Sequence, residues 1–75
     1  MGKLNQVSGK EAIKALEKLG FVQVKQTGSH VKLRKTTPDG TKTCEVPKND
    51  LVPIGTLMNI IRQAGITKEE FITNL

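Results

Sequence analysis

The chain has 75 residues and a formal net charge of +5, and 36% of its residues are hydrophobic. A chain of this length forms one domain with a small core, because it buries only about 60% of its unfolded surface. It has neither the apolar run of roughly 20 residues that a membrane span needs nor a signal-peptide pattern. We therefore expect a single cytoplasmic domain over residues 1–75 with no membrane partner. The single cysteine, Cys44, excludes an internal disulfide and a cysteine-rich zinc site, and we expect no metal and no cofactor.

Basic residues are concentrated in the front of the chain. Residues 1–48 carry ten Lys/Arg and four Asp/Glu, a balance of +6, whereas residues 49–75 carry two and three, a balance of −1. This asymmetry indicates an anionic partner for the front of the molecule. Phe21 and Phe71 are the only aromatic residues. A bound nucleic acid would therefore be held through its phosphates and its shape, not by base stacking.

The first predicted element is an amphipathic helix that follows a loose lead-in over residues 1–7. Ser8-Gly9-Lys10-Glu11 has the form of a capping box, in which the serine and the glutamate satisfy amides of the first turn. Gly20 supplies the left-handed position that commonly ends a helix. The apolar residues at helical spacing between these signals are Ala12, Ile13, Leu16 and Leu19.

Three predicted strands follow, over residues 21–26, 29–35 and 41–46. Each alternates apolar and polar residues, which is typical of strands with one buried face. The residues expected to point inward are Val22, Val24, Val31, Leu33, Cys44 and Val46. The residues expected to point outward are Gln23, Lys25, His30, Lys32, Arg34, Thr43 and Glu45. A tight connection at residues 27–29 and a type I turn at residues 37–40 make the strands an antiparallel meander.

A second amphipathic helix is predicted after Pro47, which ends the third strand. Gly55-Thr56-Leu57 indicates the start of this helix, with Thr56 available to cap it, and Gly65 closes it. Thr67-Lys68-Glu69-Glu70 repeats the capping-box pattern and predicts a short terminal helix. The expected fold class is α+β, in the order helix, strand, strand, strand, helix. Both main helices should cover the apolar face of the sheet and leave the other face open.

The stretch Gly28–Lys35 holds the only histidine of the chain. Alternation along a strand places His30 on one face with Lys32 and Arg34, so the one side-chain type that titrates near neutral pH lies beside two cations. From the residues alone, the histidine is either an active-site group or an inert residue on a solvated face. A metal site is not expected, because His30 and Cys44 lie on opposite strand faces and do not converge as ligands.

Several motifs in order carry a resemblance to a known family. They are the Ser-x-Lys-Glu helix start, Leu19-Gly20-Phe21, Gly28-Ser29-His30, Val46-Pro47, and Gly55-Thr56-Leu57 followed by residues 60–65. With these motifs the chain resembles the HicA family of bacterial toxins, the messenger-RNA-cleaving partners of HicB antitoxins. The resemblance implies a fold like the double-stranded RNA-binding domain, an mRNA substrate, a HicB-type antitoxin as partner, and His30 as the catalytic residue. The family often has a second histidine just after the Val-Pro pair, where this chain has Lys48-Asn49.

The resemblance implies that the chain is an endoribonuclease that cleaves mRNA, and the least demanding route for a histidine needs no metal. His30 would act as general base on a ribose 2′-hydroxyl, which then attacks the adjacent phosphate. The proton donor for the leaving oxygen stays open between Lys32, water and the substrate. The candidate RNA contacts are Lys25, Gly28, Ser29, Lys32, Arg34, Lys35 and Lys42.

Two alternatives remain open at this point. One is a non-catalytic RNA-binding module of the same fold, in which His30 only contacts a sugar or a phosphate. The other is a protein-interaction domain whose basic face docks on an acidic protein. The resemblance to the HicA family also implies protein docking, because the antitoxin would cover the His30 face. We expect the toxin alone to be monomeric.

Overall fold

The computed structural model describes residues 6–75 of the chain. Three antiparallel strands form one sheet, with the second strand of the chain in the middle. In chain order the elements are α1 (Gly9–Lys18), β1 (Val22–Thr27), β2 (His30–Thr37), β3 (Gly40–Pro47), α2 (Ile54–Ala64) and α3 (Lys68–Thr73). This is the α+β order that the sequence predicts. Within residues 6–75, no helix is long and apolar enough to cross a membrane.

Helix α1 begins and ends where its sequence signals predict. The Ser8 hydroxyl accepts from the Glu11 N–H at 3.1 Å, and the Glu11 carboxylate accepts from the Ser8 N–H at 2.9 Å. These two bonds satisfy first-turn amides that have no partner inside the helix. Gly20 has a φ of +103°, which glycine adopts more readily than any other residue. The capping box and the glycine stop are both confirmed.

The core lies between the helices and one face of the sheet. Strands β2 and β3 contribute alternate residues to it, namely Val31, Leu33, Cys44 and Val46. The helices contribute their apolar stripes, which include Leu16 from α1 and Leu57 from α2. Both phenylalanines, Phe21 and Phe71, are also buried in this single cluster. The inward positions predicted for β2 and β3 are therefore confirmed.

Strand β1 contradicts the predicted orientation. Val22 and Val24 are 59% and 42% exposed. Residues that face each other in an antiparallel pair share one side of the sheet, and Val22 faces Arg34, whose side chain is on the open side. The register shifts between Gln23 and Lys25, so Val24 lies in a bulge. Gln23 is on the helix side, where its Nε2 donates to a Glu17 carboxylate oxygen at 3.2 Å. Alternation alone could not predict this phase.

The segment before α1 is only partly the loose lead-in that the sequence suggested. Residues 1–5 lie outside the described residues. Val7 is buried, and its carbonyl oxygen accepts from the Val52 N–H at 2.8 Å. The Gly9 N–H donates to the Asn49 carbonyl oxygen at 2.8 Å. The start of α1 and the connection between β3 and α2 therefore hold each other in place.

Helix α2 starts earlier than predicted. It begins at Ile54 after Pro53, and no side chain among residues 6–75 caps its first amides. Thr56 lies within the first turn, so the prediction that Thr56 caps the helix is wrong. Gly65 ends the helix in the left-handed conformation with φ +71°, as predicted. The capping box at the start of α3 is also present, between Thr67 and Glu70.

Candidate nucleic-acid interface

The open face of the sheet holds the basic residues that alternation assigned to it. His30 and Arg34 are exposed on β2, and Lys32 between them is half-buried. Lys25 on β1 faces Lys32 in the register and so shares its side of the sheet. We name His30, Lys32, Arg34 and Lys25 the open basic face. It presents three cations beside the imidazole on the central strand and one edge strand.

The turn before His30 is compact and accessible. Thr27 faces His30 in the register, so Gly28 and Ser29 form a two-residue turn. Gly28 has a φ of +58°, and a Cβ built at this position meets no atom of the described residues within 4 Å. The Ser29 carbonyl oxygen accepts from the Lys48 N–H at 2.6 Å. The turn is thus anchored to the end of β3 while its tip remains open to a ligand.

Lys35 and Lys42 lie on the opposite side of the sheet from Lys25, Lys32 and Arg34. They face each other on β2 and β3, on the helix side of the sheet. The Lys35 Nζ donates to the Leu19 carbonyl oxygen at 2.7 Å and lies 6.0 Å from the centre of the Phe21 ring. The Lys42 side chain runs beside Gly65, with its Cε 3.2 Å from the place of a Cβ. Each lysine thus lies at the C-terminus of a helix, where a cation is favourable.

A groove of about 440 Å³ lies beside His30, between the end of β3 and one flank of α2. Its lining residues are His30, Glu45, Pro47, Asn49, Pro53, Thr56, Asn59, Ile60 and Gln63. Thr56, Asn59 and Gln63 recur at helical spacing, so they form one polar flank of α2. We call this the His30 groove. The sequence pattern does not indicate this flank, because polar residues beside an apolar stripe usually face solvent.

Two titratable side chains, His30 and Glu45, line the His30 groove. Glu45 faces Lys32 in the register, so it lies on the same side of the sheet as His30 and diagonally across from it. Asn49 also lines the groove. It lies in the segment after Val46-Pro47 where the resemblance led us to look for a second histidine. The groove therefore combines one imidazole, one carboxylate and several amides.

The thiol of Cys44 takes no part in this site. Cys44 is buried in the core, and burial raises the pKa of its thiol from 9.0 to about 11. A neutral buried thiol is a poor nucleophile and a poor metal ligand. No group of three or more His, Cys, Asp or Glu residues in the described part of the chain is arranged to hold a metal ion.

Comparison with protein families identifies a match over most of the chain. Residues 9–66 match the family model described as HicA toxin of bacterial toxin-antitoxin. The matched region runs from the start of α1 to just beyond α2, and it contains the open basic face and every residue that lines the His30 groove. No curated protein matches the chain.

Proposed function

Because the chain belongs to the HicA family of toxins from bacterial toxin–antitoxin systems, we propose that it is an endoribonuclease that cleaves mRNA without a metal ion. In this proposal it is the toxin of a type II system, and His30 is its general base. The observation that carries the proposal is the position of His30. The only histidine of the chain is exposed at the mouth of a groove and is flanked by the cations of the open basic face.

The first step of the reaction uses the one imidazole of the chain. The His30 imidazole takes the proton of a ribose 2′-hydroxyl, and the 2′-oxygen then attacks the adjacent phosphorus. The bond from phosphorus to the 5′-oxygen of the next nucleotide breaks, which leaves a cyclic phosphate on one fragment and a hydroxyl on the other. General acid–base help of this kind contributes about 10²–10⁴-fold to the rate.

The cations beside His30 supply the electrostatic part of the mechanism. Lys32 and Arg34 follow His30 along the same side of β2, and Lys25 lies opposite Lys32. Positive charges fixed at the phosphate stabilise the negative charge that develops on it during attack. The open tip at Gly28 and Ser29 lets the RNA backbone approach the imidazole closely. Both phenylalanines are buried, which supports recognition through phosphates and sugars instead of base stacking.

Proton balance assigns roles to the remaining polar groups. Once His30 has taken a proton it is positively charged, and the Glu45 carboxylate in the same groove stabilises that charge. The leaving 5′-oxygen takes its proton from Lys32 or from water in the groove. With one histidine to act as either base or acid, we expect slower turnover than in a ribonuclease that has two.

A HicB-type antitoxin is the protein partner in this proposal. It would inhibit by covering the His30 groove and the open basic face, which together form the substrate site. The toxin alone is proposed to be a monomer.

The direct test is RNA cleavage by the purified protein in the presence of a chelator. We expect the wild-type protein to cleave, and His30→Ala to be at least about 100-fold slower, in line with the loss of a general base. Thr36→Ala is the matched control, because Thr36 is exposed on the same side of β2 but lies beyond Arg34. Loss of wild-type activity in chelator, or full activity in His30→Ala, would contradict the mechanism.

The second candidate function is RNA binding without cleavage. The observation that favours it is the presence of Asn49, not a second histidine, in the His30 groove. Its signature would be RNA binding that survives in His30→Ala with no cleavage by either protein. Induced expression of both proteins in a bacterial host separates the candidates further. Growth arrest with loss of mRNA in the wild type alone is the result expected of the nuclease.

A further inference from the structure

A second groove lies on the other side of the sheet, between α1 and β1, and has a volume of about 180 Å³. Its lining residues are Lys10, Ile13, Lys14, Glu17, Gln23, Val31 and Lys48. We call it the α1–β1 groove. None of its three lysines is among the candidate RNA contacts predicted from the sequence, and none belongs to the open basic face.

The α1–β1 groove exists because the helices leave β1 uncovered. Every residue of β1 is exposed, including Gln23 and Gln26, although these two face the helix-side residues Leu33 and Val31 in the register. The exposed flank of α1 forms the opposite wall. A polar strand edge thus faces a helix across an open channel.

The charge of the groove is positive. Lys10 and Lys14 lie one turn apart on α1 and are both exposed, as is Lys48. The one acidic lining residue, Glu17, accepts a hydrogen bond from the Gln23 Nε2 at 3.2 Å. The groove is therefore lined by three cations and one carboxylate, and this carboxylate already accepts a hydrogen bond. This arrangement suits a ligand with several negative charges.

The α1–β1 groove and the His30 groove meet at the turn before His30. Lys48 lines the first groove, while its neighbours Pro47 and Asn49 line the second. The Lys48 N–H donates to the Ser29 carbonyl oxygen at 2.6 Å, and Ser29 directly precedes His30. A polymer bound at the His30 imidazole that extends across the turn at Gly28 and Ser29 therefore reaches the lysines of the α1–β1 groove.

We propose that the α1–β1 groove binds the phosphates of the RNA strand that flanks the cleavage point. The inference rests on the proposed nuclease function and extends it to the substrate, which becomes a single strand that wraps from one side of the sheet to the other. Lysine ammonium groups contact phosphates as point charges and carry no sequence information. Substrates long enough to reach the groove are bound more tightly than substrates that fill only the His30 site.

The binding test uses His30→Ala protein, so that the RNA stays intact. In this background, Lys10→Gln, Lys14→Gln and Lys48→Gln are combined and compared with a control that also loses three positive charges, Lys18→Gln, Arg62→Gln and Lys68→Gln. None of the three control residues lines the α1–β1 groove or the His30 groove. Fluorescence anisotropy with a labelled single-stranded oligonucleotide gives the dependence of affinity on salt.

We expect the groove variant to lower the slope of log affinity against log salt by about 2, since each phosphate contact on a single strand contributes about 0.7. The control should keep the slope of the His30→Ala protein. Equal slopes in the groove variant and the control would overturn the inference. A cleavage assay in proteins that retain His30 gives a second measure. The advantage in kcat/KM of a long substrate over a short one should fall in the groove variant and persist in the control.

Failure of the function and failure of the inference give different results. If the wild type cleaves RNA and the groove variant keeps both the slope and the length advantage, only the groove assignment is wrong. If the wild type neither binds nor cleaves RNA, the proposed function fails and the inference fails with it. If the groove variant keeps its RNA slope but loses binding to a polyglutamate peptide, the α1–β1 groove is a docking surface for acidic protein and the inference is overturned.

Discussion

Gly9 shows how one residue without a side chain fixes the start of α1 against the end of β3. A Cβ at this position would collide with the Pro47 carbonyl oxygen and would lie 2.7 Å from the Lys48 Cα. Both obstacles are backbone atoms, which cannot rotate away as a flexible side chain can. The Gly9 N–H also donates to the Asn49 carbonyl oxygen. In the sequence, Gly9 is merely the second residue of a capping box, so this close approach had no visible signal.

Gly9→Ala should therefore destabilise the protein by about 1–3 kcal/mol, the usual cost of forcing extra volume into a packed site. Gly55→Ala is the matched control, because Gly55 is in the first turn of α2 and no atom in the described part of the chain lies within 4 Å of a built Cβ. This control should stabilise by up to about 1 kcal/mol, since alanine is the better helix former. Urea unfolding of both variants measures the difference. A Gly9→Ala protein as stable as Gly55→Ala would contradict the close packing.

Cys44 gives a prediction about pH and reactivity. Its folded-state pKa is raised from 9.0 to about 11 by burial, so folding favours the neutral thiol. The stability that this group contributes is full below pH 9 and is lost as the pH rises toward 11. At pH 8 the native protein should react slowly with a thiol reagent and the urea-unfolded protein quickly. Because Cys44 is the only cysteine, the reagent reports on this site alone. Equal rates in the two states would show that the thiol is accessible.

At the scale of elements, Arg34 and Lys35 are neighbours on β2 whose side chains lie on opposite sides of the sheet. Arg34 is on the open basic face, whereas Lys35 donates to the Leu19 carbonyl oxygen at the end of α1. Lys35→Met should cost about 1 kcal/mol of stability through the lost hydrogen bond and leave the salt slope of RNA binding unchanged. Arg34→Met should do the reverse, lowering the slope by about 0.7 with little change in unfolding. A lower RNA slope in Lys35→Met would restore Lys35 to the RNA contacts that the sequence suggested.

The sequence predicts α1, β2 and β3 well. For α1, the capping box, the apolar stripe and Gly20 all indicate one helix, and its bounds follow. For β2 and β3, alternation gives the correct buried face because helices cover these strands. Alternation fails for β1, where the valines had no helix to face and a bulge changes the phase. Whether a strand residue is buried depends on which part of the sheet the helices cover. The alternation of residues within one strand does not show where the helices pack.

The same limit applies to the candidate site. The sequence gives His30 and its neighbours on β2, because strand geometry alone sets their common side. It does not bring Thr56, Asn59 and Gln63 to the imidazole, since they arrive from a helix about 30 residues later that packs along β3. Nor does it separate Lys35 and Lys42 from the other lysines. All are basic strand residues in sequence, and only the register places these two on the helix side.

At the scale of the molecule, the core extends beyond the residues that match the family. The match covers residues 9–66, yet Val7 before it and Phe71 after it are both buried in the same cluster. Phe71 is held by α3, which contacts both α1 and α2. A small domain has few large apolar residues to spare. The terminal helix therefore belongs to the folding unit and is not an appendage to it.

Removal of residues 67–75 should consequently unfold the protein or lower its melting temperature sharply. Phe71→Ala isolates the cause, since truncating a buried phenylalanine costs about 3–5 kcal/mol against a total stability of about 5–15 kcal/mol for native proteins. Thr73→Ala is the control on the same helix, because an exposed position should change stability by no more than about 0.5 kcal/mol. Thermal unfolding followed by circular dichroism gives the melting temperatures of the truncated chain, Phe71→Ala and Thr73→Ala. A truncated chain that melts like the wild type would show that residues 1–66 form a stable core without α3, and RNA cleavage should then survive the truncation too.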